Sequence, residues 1–124
     1  MAAFKPGNTV AFPLDRRTWR TGTITRREFL GTSRGWLIHA DGPNPGPWFA
    51  FAKDITAVPA AAVFQRDVKV QVAADSPHYP GRVGCIDEPA VIDGTFGYWL
   101  HLTGPAELAW VPAQKLAPAL DGGA

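Results

Sequence analysis

The stretch Gly35-Trp36-Leu37-Ile38-His39-Ala40-Asp41-Gly42-Pro43 has a second version later in the chain, Gly97-Tyr98-Trp99-Leu100-His101-Leu102-Thr103-Gly104-Pro105. The two stretches lie 62 residues apart and share glycine, histidine and a Gly-Pro ending at matching positions. Similarity at a fixed spacing indicates a repeated structural unit. We therefore predict that the fold is built twice.

Identical residues outside this stretch extend the match over most of the chain. The spacing is 62 for Trp48 and Trp110 and for Lys53 and Lys115, 60 for Phe4 and Phe64 and for Val10 and Val70, and 59 for Gly22 and Gly81. Small changes in spacing are expected where loops differ in length. The sequence predicts two units of about 60 residues each, at residues 1–59 and 60–124.

Both units have the pattern of short β-strands. Val68, Val70 and Val72 alternate with Lys69 and Gln71, which is the period of a half-buried strand. Further strands are predicted at Arg82–Asp87, Tyr98–Leu102 and Glu107–Val111, and in the first unit at Thr9–Leu14, Arg20–Phe29, Trp36–Ala40 and Trp48–Phe51. Single helical turns are expected at Pro112–Leu116 and Lys53–Ile55, and a loop at Pro89–Gly97. Four or five short strands with one turn before the last describe a small closed sheet, which hides its edges.

The composition agrees with an all-β protein. The 124 residues include 13 glycines and 12 prolines, as expected where turns join many strands. Hydrophobic residues are 46% and charged residues 19% of the chain, so a packed core is expected. One cysteine excludes an internal disulfide, and neither a signal peptide nor an apolar run of membrane length is visible. We expect a soluble cytoplasmic protein.

One segment of the second unit carries a family resemblance. Val68-Lys69-Val70, followed by Tyr79-Pro80-Gly81-Arg82-Val83-Gly84-Cys85-Ile86, resembles the KOW motif of SH3-like barrels. The first unit keeps Gly22 and Ile24 but has Thr25 at the position assigned to Gly84, so it is more similar to a generic SH3-like or Tudor-like unit. The resemblance implies two tandem SH3-like barrels, and the apolar link Thr56–Val63 predicts that they pack together. Such barrels bind RNA, DNA, peptides or protein partners.

The charge is divided unequally between the units. Residues 1–62 hold eight Lys or Arg and four Asp or Glu, which gives +4, whereas the remainder holds four and seven, which gives −3. Six of the eight bases are arginines, the side chain that best matches phosphate and carboxylate groups. The basic first unit is thus the expected binding unit, unless the arginines serve only as solvated strand flanks.

Residues for catalysis are few. His39 and His101 occupy the same repeat position, and Cys85 lies in an apolar strand, so structural roles are expected for all three. No metal-ligand spacing is present, and we expect no cofactor and no catalytic site. The trimethoprim-resistance dihydrofolate reductases also have this barrel. Leu108–Pro112, the stretch similar to their active strand, lacks its Gln and Tyr, which leaves reductase chemistry a distant third hypothesis.

Arginines and aromatic residues occur together in the first unit, the combination with which single-stranded nucleic-acid binders hold phosphates and stack bases. The predicted binding residues are Arg16, Arg17, Trp19, Arg20, Arg26, Arg27, Trp36 and Trp48. The alternative for Trp36 and Trp48 is packing inside the protein. The expected function is a non-catalytic module that binds DNA or RNA. The alternative is a protein-interaction module that holds a peptide or partner in an aromatic groove.

Overall fold

The computed structural model describes residues 4–15 and 18–119 and is all-β, with two five-stranded antiparallel sheets that pack together. The strands of the first unit are β1 Thr9–Pro13, β2 Trp19–Leu30, β3 Ser33–Ala40, β4 Trp48–Phe51 and β5 Thr56–Ala57. Those of the second unit are β6 Lys69–Val72, β7 Val83–Ile92, β8 Thr95–Leu102, β9 Glu107–Pro112 and β10 Leu116–Pro118. Single 3₁₀ turns lie at Ala52–Asp54, Ala60–Ala62 and Ala113–Lys115.

The two sheets have the same strand order. It is β4-β3-β2-β1-β5 in the first and β9-β8-β7-β6-β10 in the second. In each sheet the long second strand has a bulge at the same point, between Ile24 and Arg26 in β2 and between Ile86 and Glu88 in β7. The repeat seen in the sequence is therefore a repeat of the fold.

Strand pairing corrects the repeat alignment before the bulge. Gly22 lies opposite Ala40, and Gly84 lies opposite Leu102, so Gly22 corresponds to Gly84 and not to Gly81. A side chain at either glycine would collide with the backbone carbonyl of His39 or His101. The spacing of 62 thus extends back to the start of the long strand, and the change to 60 lies in the loop before it.

Strand pairing also corrects the alignment after the repeated stretch. Gly35 lies opposite Phe51, whereas Gly97 lies opposite Pro112, which is a shift of one residue. As a result Phe49 corresponds to Trp110, and the rings of both cross over the equivalent glycine of the neighbouring strand. The matches of Trp48 with Trp110 and of Lys53 with Lys115 were wrong for this reason.

The predicted loop at Pro89–Gly97 was also wrong. β7 continues to Ile92, turns through Asp93 and Gly94, and pairs with β8 from Thr95 onward. Pro89 is tolerated in this strand because, in the described pairing, β6 accompanies β7 only as far as Cys85. The φ angles of +51° at Asp93 and +78° at Gly94 are those of a type I′ hairpin turn.

Each sheet packs on an apolar cluster, and the second cluster includes residues of the first unit. The first cluster is centred on Val10, Phe12, Ile24 and Ile38. The second is centred on Val70, Ile86, Tyr98 and Leu100, and Ala11 and Val58 are buried in it. The link after β5 therefore fastens the sheets together, as its apolar sequence predicted. No helix in the described part of the chain has the length and apolar character needed to cross a membrane.

Candidate nucleic-acid interface

The basic residues of β2 and β3 lie on a hairpin whose end extends beyond its neighbouring strands. In the described pairing β1 accompanies β2 as far as Thr23, and β4 accompanies β3 from Gly35 to Ile38. The remaining part, residues 26–34, is a two-stranded ribbon. Gly31, with a φ of +65°, is the first of its two turn residues, where a type II′ turn places glycine.

The ribbon has two faces of different composition. Arg27 lies directly opposite Trp36, and Phe29 lies opposite Arg34, so these four side chains share the inner face, which continues into the core. The outer face carries Arg26, Glu28, Leu30 and Ser33. Cationic side chains are thus present on both faces.

Arg27 contacts the aromatic core at the base of the ribbon. Its guanidinium carbon lies 5.4 Å from the centroid of the Trp36 ring, within the range of a cation–π contact. Trp36 itself is buried, with 7% of its surface exposed. Trp36 is therefore a core residue that orients Arg27, and its ring face is not free to stack a base.

Arg26 has a different environment on the outer face. It forms an ion pair of 3.2 Å with Glu28, and 66% of its side chain is exposed. Such an exposed pair contributes little to stability. The guanidinium remains accessible to a ligand, but Glu28 offsets part of its charge.

A basic depression lies beside the ribbon. It has a volume of about 390 Å³ and is lined by Ser33, Arg34, Phe51, Ala52 and Lys53. Its two cations and its aromatic ring are the groups needed to hold a phosphate beside a base. We call Arg26, Arg27, Phe29, Arg34, Phe51 and Lys53 together the basic hairpin surface.

Arg20 and Trp48 have a structural role instead. The Arg20 guanidinium donates hydrogen bonds to the carbonyl oxygens of Asp41, Pro43 and Asn44, the last at 2.8 Å. The Trp48 indole Nε1 donates to the same Asn44 carbonyl at 2.9 Å. Both side chains hold the loop between β3 and β4 in place. The equivalent Arg82 holds the carbonyl oxygens of Thr103 and Pro105 in the second unit.

Trp19 lies away from the hairpin, beside a cleft between the two sheets. The cleft has a volume of about 770 Å³. Trp19 and Phe64 supply its aromatic wall, and its acidic groups are Asp41, Asp87 and Glu88. Arg16 and Arg17 lie outside the described residues. The predicted site is therefore divided: Arg26 and Arg27 lie on the ribbon, Trp36 in the core and Trp19 at the cleft, whereas Arg20 and Trp48 contact the loop from β2 and β4.

The basic hairpin surface includes residues that the sequence reasoning did not select. Arg34, Lys53, Phe29 and Phe51 complete it, and all four lie in a turn or within two residues of one. A signal was present, because Gly31 lies two residues after a strand predicted to end at Phe29. Reading that glycine as the tip of a hairpin would have placed Arg34 opposite Phe29.

In the second unit the corresponding ribbon is covered. Glu88, Pro89 and Phe96 occupy the positions of Arg26, Arg27 and Arg34. Tyr98, which replaces Trp36, accepts a hydrogen bond from the Phe64 amide at 2.9 Å and donates one to the Ala62 carbonyl at 3.3 Å. The Phe64 and Phe96 rings contact the Tyr98 ring edge-on at centroid distances of 5.7 and 5.1 Å. The link between the units thus occupies the inner face of this ribbon.

Burial of Tyr98 changes its ionisation. Removal from solvent, against the opposing hydrogen bond from the Phe64 amide and with a smaller contribution from the negative charge of Asp41, raises the pKa of its phenol to about 12. The phenol is therefore neutral at physiological pH. No group of three or more His, Cys, Asp or Glu side chains in the described ranges could hold a metal ion.

The sequence was compared with models of protein families and with curated proteins, and it matches neither. The assignment of function therefore depends on the geometry of the chain itself.

Proposed function

We propose that this protein is a nucleic-acid-binding module that uses the basic hairpin surface of its first unit. The observation that carries the proposal is the gathering of exposed Arg26, Arg27, Arg34 and Lys53 around one hairpin, whose counterpart in the second unit has no cation at the three equivalent ribbon positions. A difference of this kind between two copies of one fold marks the cationic copy as the one that meets a polyanion. The KOW-like segment at residues 68–86 is consistent with this role.

The contacts favour phosphate binding over a purely structural use of the arginines. Arg34 and Lys53 face one depression with Phe51, and the cation–π contact holds Arg27 in an exposed position. Among the arginines of the first unit, Arg20 donates its hydrogen bonds to backbone carbonyls. It is therefore not part of the basic hairpin surface. Arg16 and Arg17 remain predicted contributors.

The proposal is tested by fluorescence-anisotropy titration with labelled single-stranded DNA, duplex DNA and RNA at low and near-physiological salt. We expect affinity to fall steeply with salt, because each phosphate contact releases counterions. The double variant Arg34→Gln with Lys53→Gln should weaken binding on all sequences and reduce the salt slope by about 2, or about 1 per lost contact.

The matched control is Arg66→Gln with Lys69→Gln, which removes two exposed cations from the second unit. It should leave the salt slope unchanged. Equal effects of the two double variants would mean that binding depends on net charge and not on the basic hairpin surface. An absence of binding at low salt would refute the proposal.

The cleft supports a second candidate function, protein binding. Trp19 and Phe64 form its aromatic wall. Its three acidic groups outnumber its two cations, Arg20 and Arg66, so the cleft favours an extended basic peptide segment. Anisotropy titration with labelled Arg-rich and Asp-rich peptides of equal length tests this. We expect the Arg-rich peptide to bind and Trp19→Ala to abolish the signal; binding that persists in Trp19→Ala would exclude the cleft.

A further inference from the structure

The tip of the β2–β3 ribbon exposes apolar side chains between cations. Phe29 is 54% and Leu30 is 62% exposed, the two highest values among the large apolar residues of the described ranges. They point to opposite faces of the ribbon, since successive residues of a strand alternate. Arg26, Arg27 and Arg34 surround them, and with Glu28 they give the ribbon a net charge of +2.

The shape of this tip differs from that of a surface that binds single-stranded nucleic acid. Single-stranded nucleic acid is held in a groove on which bases stack in succession. The ribbon is a projection instead, and its cations occupy both faces, with Arg26 outside and Arg27 and Arg34 inside. A projection with cations on two sides matches a groove that has a row of phosphates along each wall.

We infer that the β2–β3 ribbon enters a groove of duplex DNA and that Leu30 and Phe29 at its tip act as a wedge between base pairs. This inference rests on the proposed nucleic-acid binding and specifies its ligand. Two-stranded ribbons enter either groove of duplex DNA, and apolar wedges are inserted from the minor groove, whereas the deep groove of an RNA duplex does not admit side chains. Exposed Phe and Leu side chains flanked by Arg are the means by which proteins unstack and kink DNA.

The second unit provides the comparison. Ile92 occupies the position of Leu30 and is 38% exposed, but no arginine accompanies it, because Phe96 replaces Arg34. Val91, in the position of Phe29, packs on the second core. The apolar tip is thus flanked by cations in the first unit, whereas in the second unit it lies beside a residue that packs on the core. Ile92→Ala is therefore the matched control for Leu30→Ala.

The test uses the full chain and a duplex that carries 2-aminopurine, whose fluorescence increases when it is unstacked, with anisotropy measured on the same duplex. We expect binding to raise the fluorescence and Leu30→Ala to remove most of that rise. The affinity of this variant should change by less than about tenfold, because its phosphate contacts are intact. Arg27→Gln with Arg34→Gln should instead lower the affinity, and Ile92→Ala should change neither readout.

The outcomes separate the inference from the proposed function. Duplex binding without a rise in fluorescence, or a rise that Leu30→Ala leaves intact, overturns the wedge and keeps nucleic-acid binding. Tighter binding to single strands or to RNA duplex overturns the duplex DNA assignment. Absence of binding to all nucleic acids refutes both. Binding to vesicles of anionic phospholipid that requires Leu30, with none to DNA, assigns the tip to a membrane surface and also overturns the inference.

Far-UV circular dichroism of each variant checks its fold. Leu30 and Ile92 are both exposed, so neither substitution removes core packing. A second substitution, Leu30→Trp, extends the wedge instead of shortening it. Its fluorescence rise should equal or exceed that of the unmodified protein, and a loss comparable to that in Leu30→Ala would contradict the wedge.

Discussion

The two units share one backbone plan and differ in what covers the inner face of the long hairpin. In the second unit this face is filled by Phe96, Tyr98 and Phe64, the residue that follows the link. In the first unit the same positions carry Arg34, Trp36 and Phe4. The second ribbon is therefore part of the core, and the first is left open with its cations exposed. The inner face is used for packing in the second unit, and in the first unit it keeps exposed cations.

The difference teaches that equivalent positions keep their geometry while their chemistry changes. Arg20 and Arg82 hold the loop after the third strand of each unit through the same kind of carbonyl contacts. Beyond the bulge this correspondence ends, because Arg26 is replaced by Glu88 and Arg27 by Pro89. The bulge separates the part of the sheet that is alike in the two units from the ribbon, in which the two units differ.

The largest effect is expected from the two cores. Ile38 and Leu100 occupy the same repeat position and are both fully buried, so replacing either by alanine should cost about 2–5 kcal/mol. Because Ala11 and Val58 are buried in the second core, we expect one common unfolding transition that both variants shift. Urea denaturation followed by circular dichroism and tryptophan fluorescence measures this. Two separate transitions, each sensitive to one variant, would show that the units fold independently.

The next effect concerns the glycines beneath the crossing rings. A Cβ at Gly35 would lie 2.6 Å from the Ala50 carbonyl, and one at Gly97 would lie 2.7 Å from the Trp110 ring. The Cβ at Gly35 would come closer still to the Phe49 ring, and the Cβ at Gly97 to the Val111 carbonyl. Gly35→Ala and Gly97→Ala should therefore each lower the free energy of unfolding by about 1–3 kcal/mol in the same assay. Gly81→Ala is not a suitable control, because its φ of +75° adds backbone strain. A neutral result at Gly97 would contradict the ring-over-glycine packing.

The sequence predicted the features that the two units share better than those in which they differ. The strands, their order of appearance and the turn before the last strand could be predicted, because valine alternation and the repeat specify them locally. The register of β4 could not, because the shared Trp48 and Trp110 suggested a match that the pairing of Gly35 with Phe51 excludes. An identical residue type in two copies does not establish an equivalent position when the intervening loops differ in length.

The residues of the basic hairpin surface were located only in part, for a related reason. Composition located the arginines in the first unit, and Arg26 and Arg27 do lie on its exposed ribbon. Sequence could not show that Arg20 is occupied by three carbonyl oxygens, since those contacts span more than 20 residues. Nor could it show that Trp36 is buried, because tryptophan serves in cores and in binding sites equally well.

A smaller effect is expected from the Tyr98 hydroxyl. Tyr98→Phe removes its hydrogen bonds to Phe64 and Ala62 and should cost about 1 kcal/mol at neutral pH. Because the pKa is raised from 10.0 to about 12 in the folded state, the unfolded chain loses this proton first as pH rises. The contribution of the Tyr98 phenol to the free energy of unfolding should therefore be fully present below about pH 10 and fall between pH 10 and 12. Tyr98→Phe should lack this part of the fall. Urea titrations at pH 9 and 11 test this, with Tyr79→Phe as the control that retains it.

The smallest effect, and the one that separates the two faces of the open ribbon, comes from Arg26 and Arg27. The contact of Arg27 with the Trp36 ring should contribute about 0.5–1 kcal/mol to stability. The exposed Arg26–Glu28 pair should contribute less than about 0.5 kcal/mol, so Arg27→Gln should destabilise the protein more than Arg26→Gln. The same order is expected for DNA affinity, because Trp36 fixes Arg27 before binding and Glu28 competes for Arg26. Anisotropy and urea denaturation of both variants decide the order. Equal losses at both positions would mean that the inner face of the first ribbon has no advantage over the outer one.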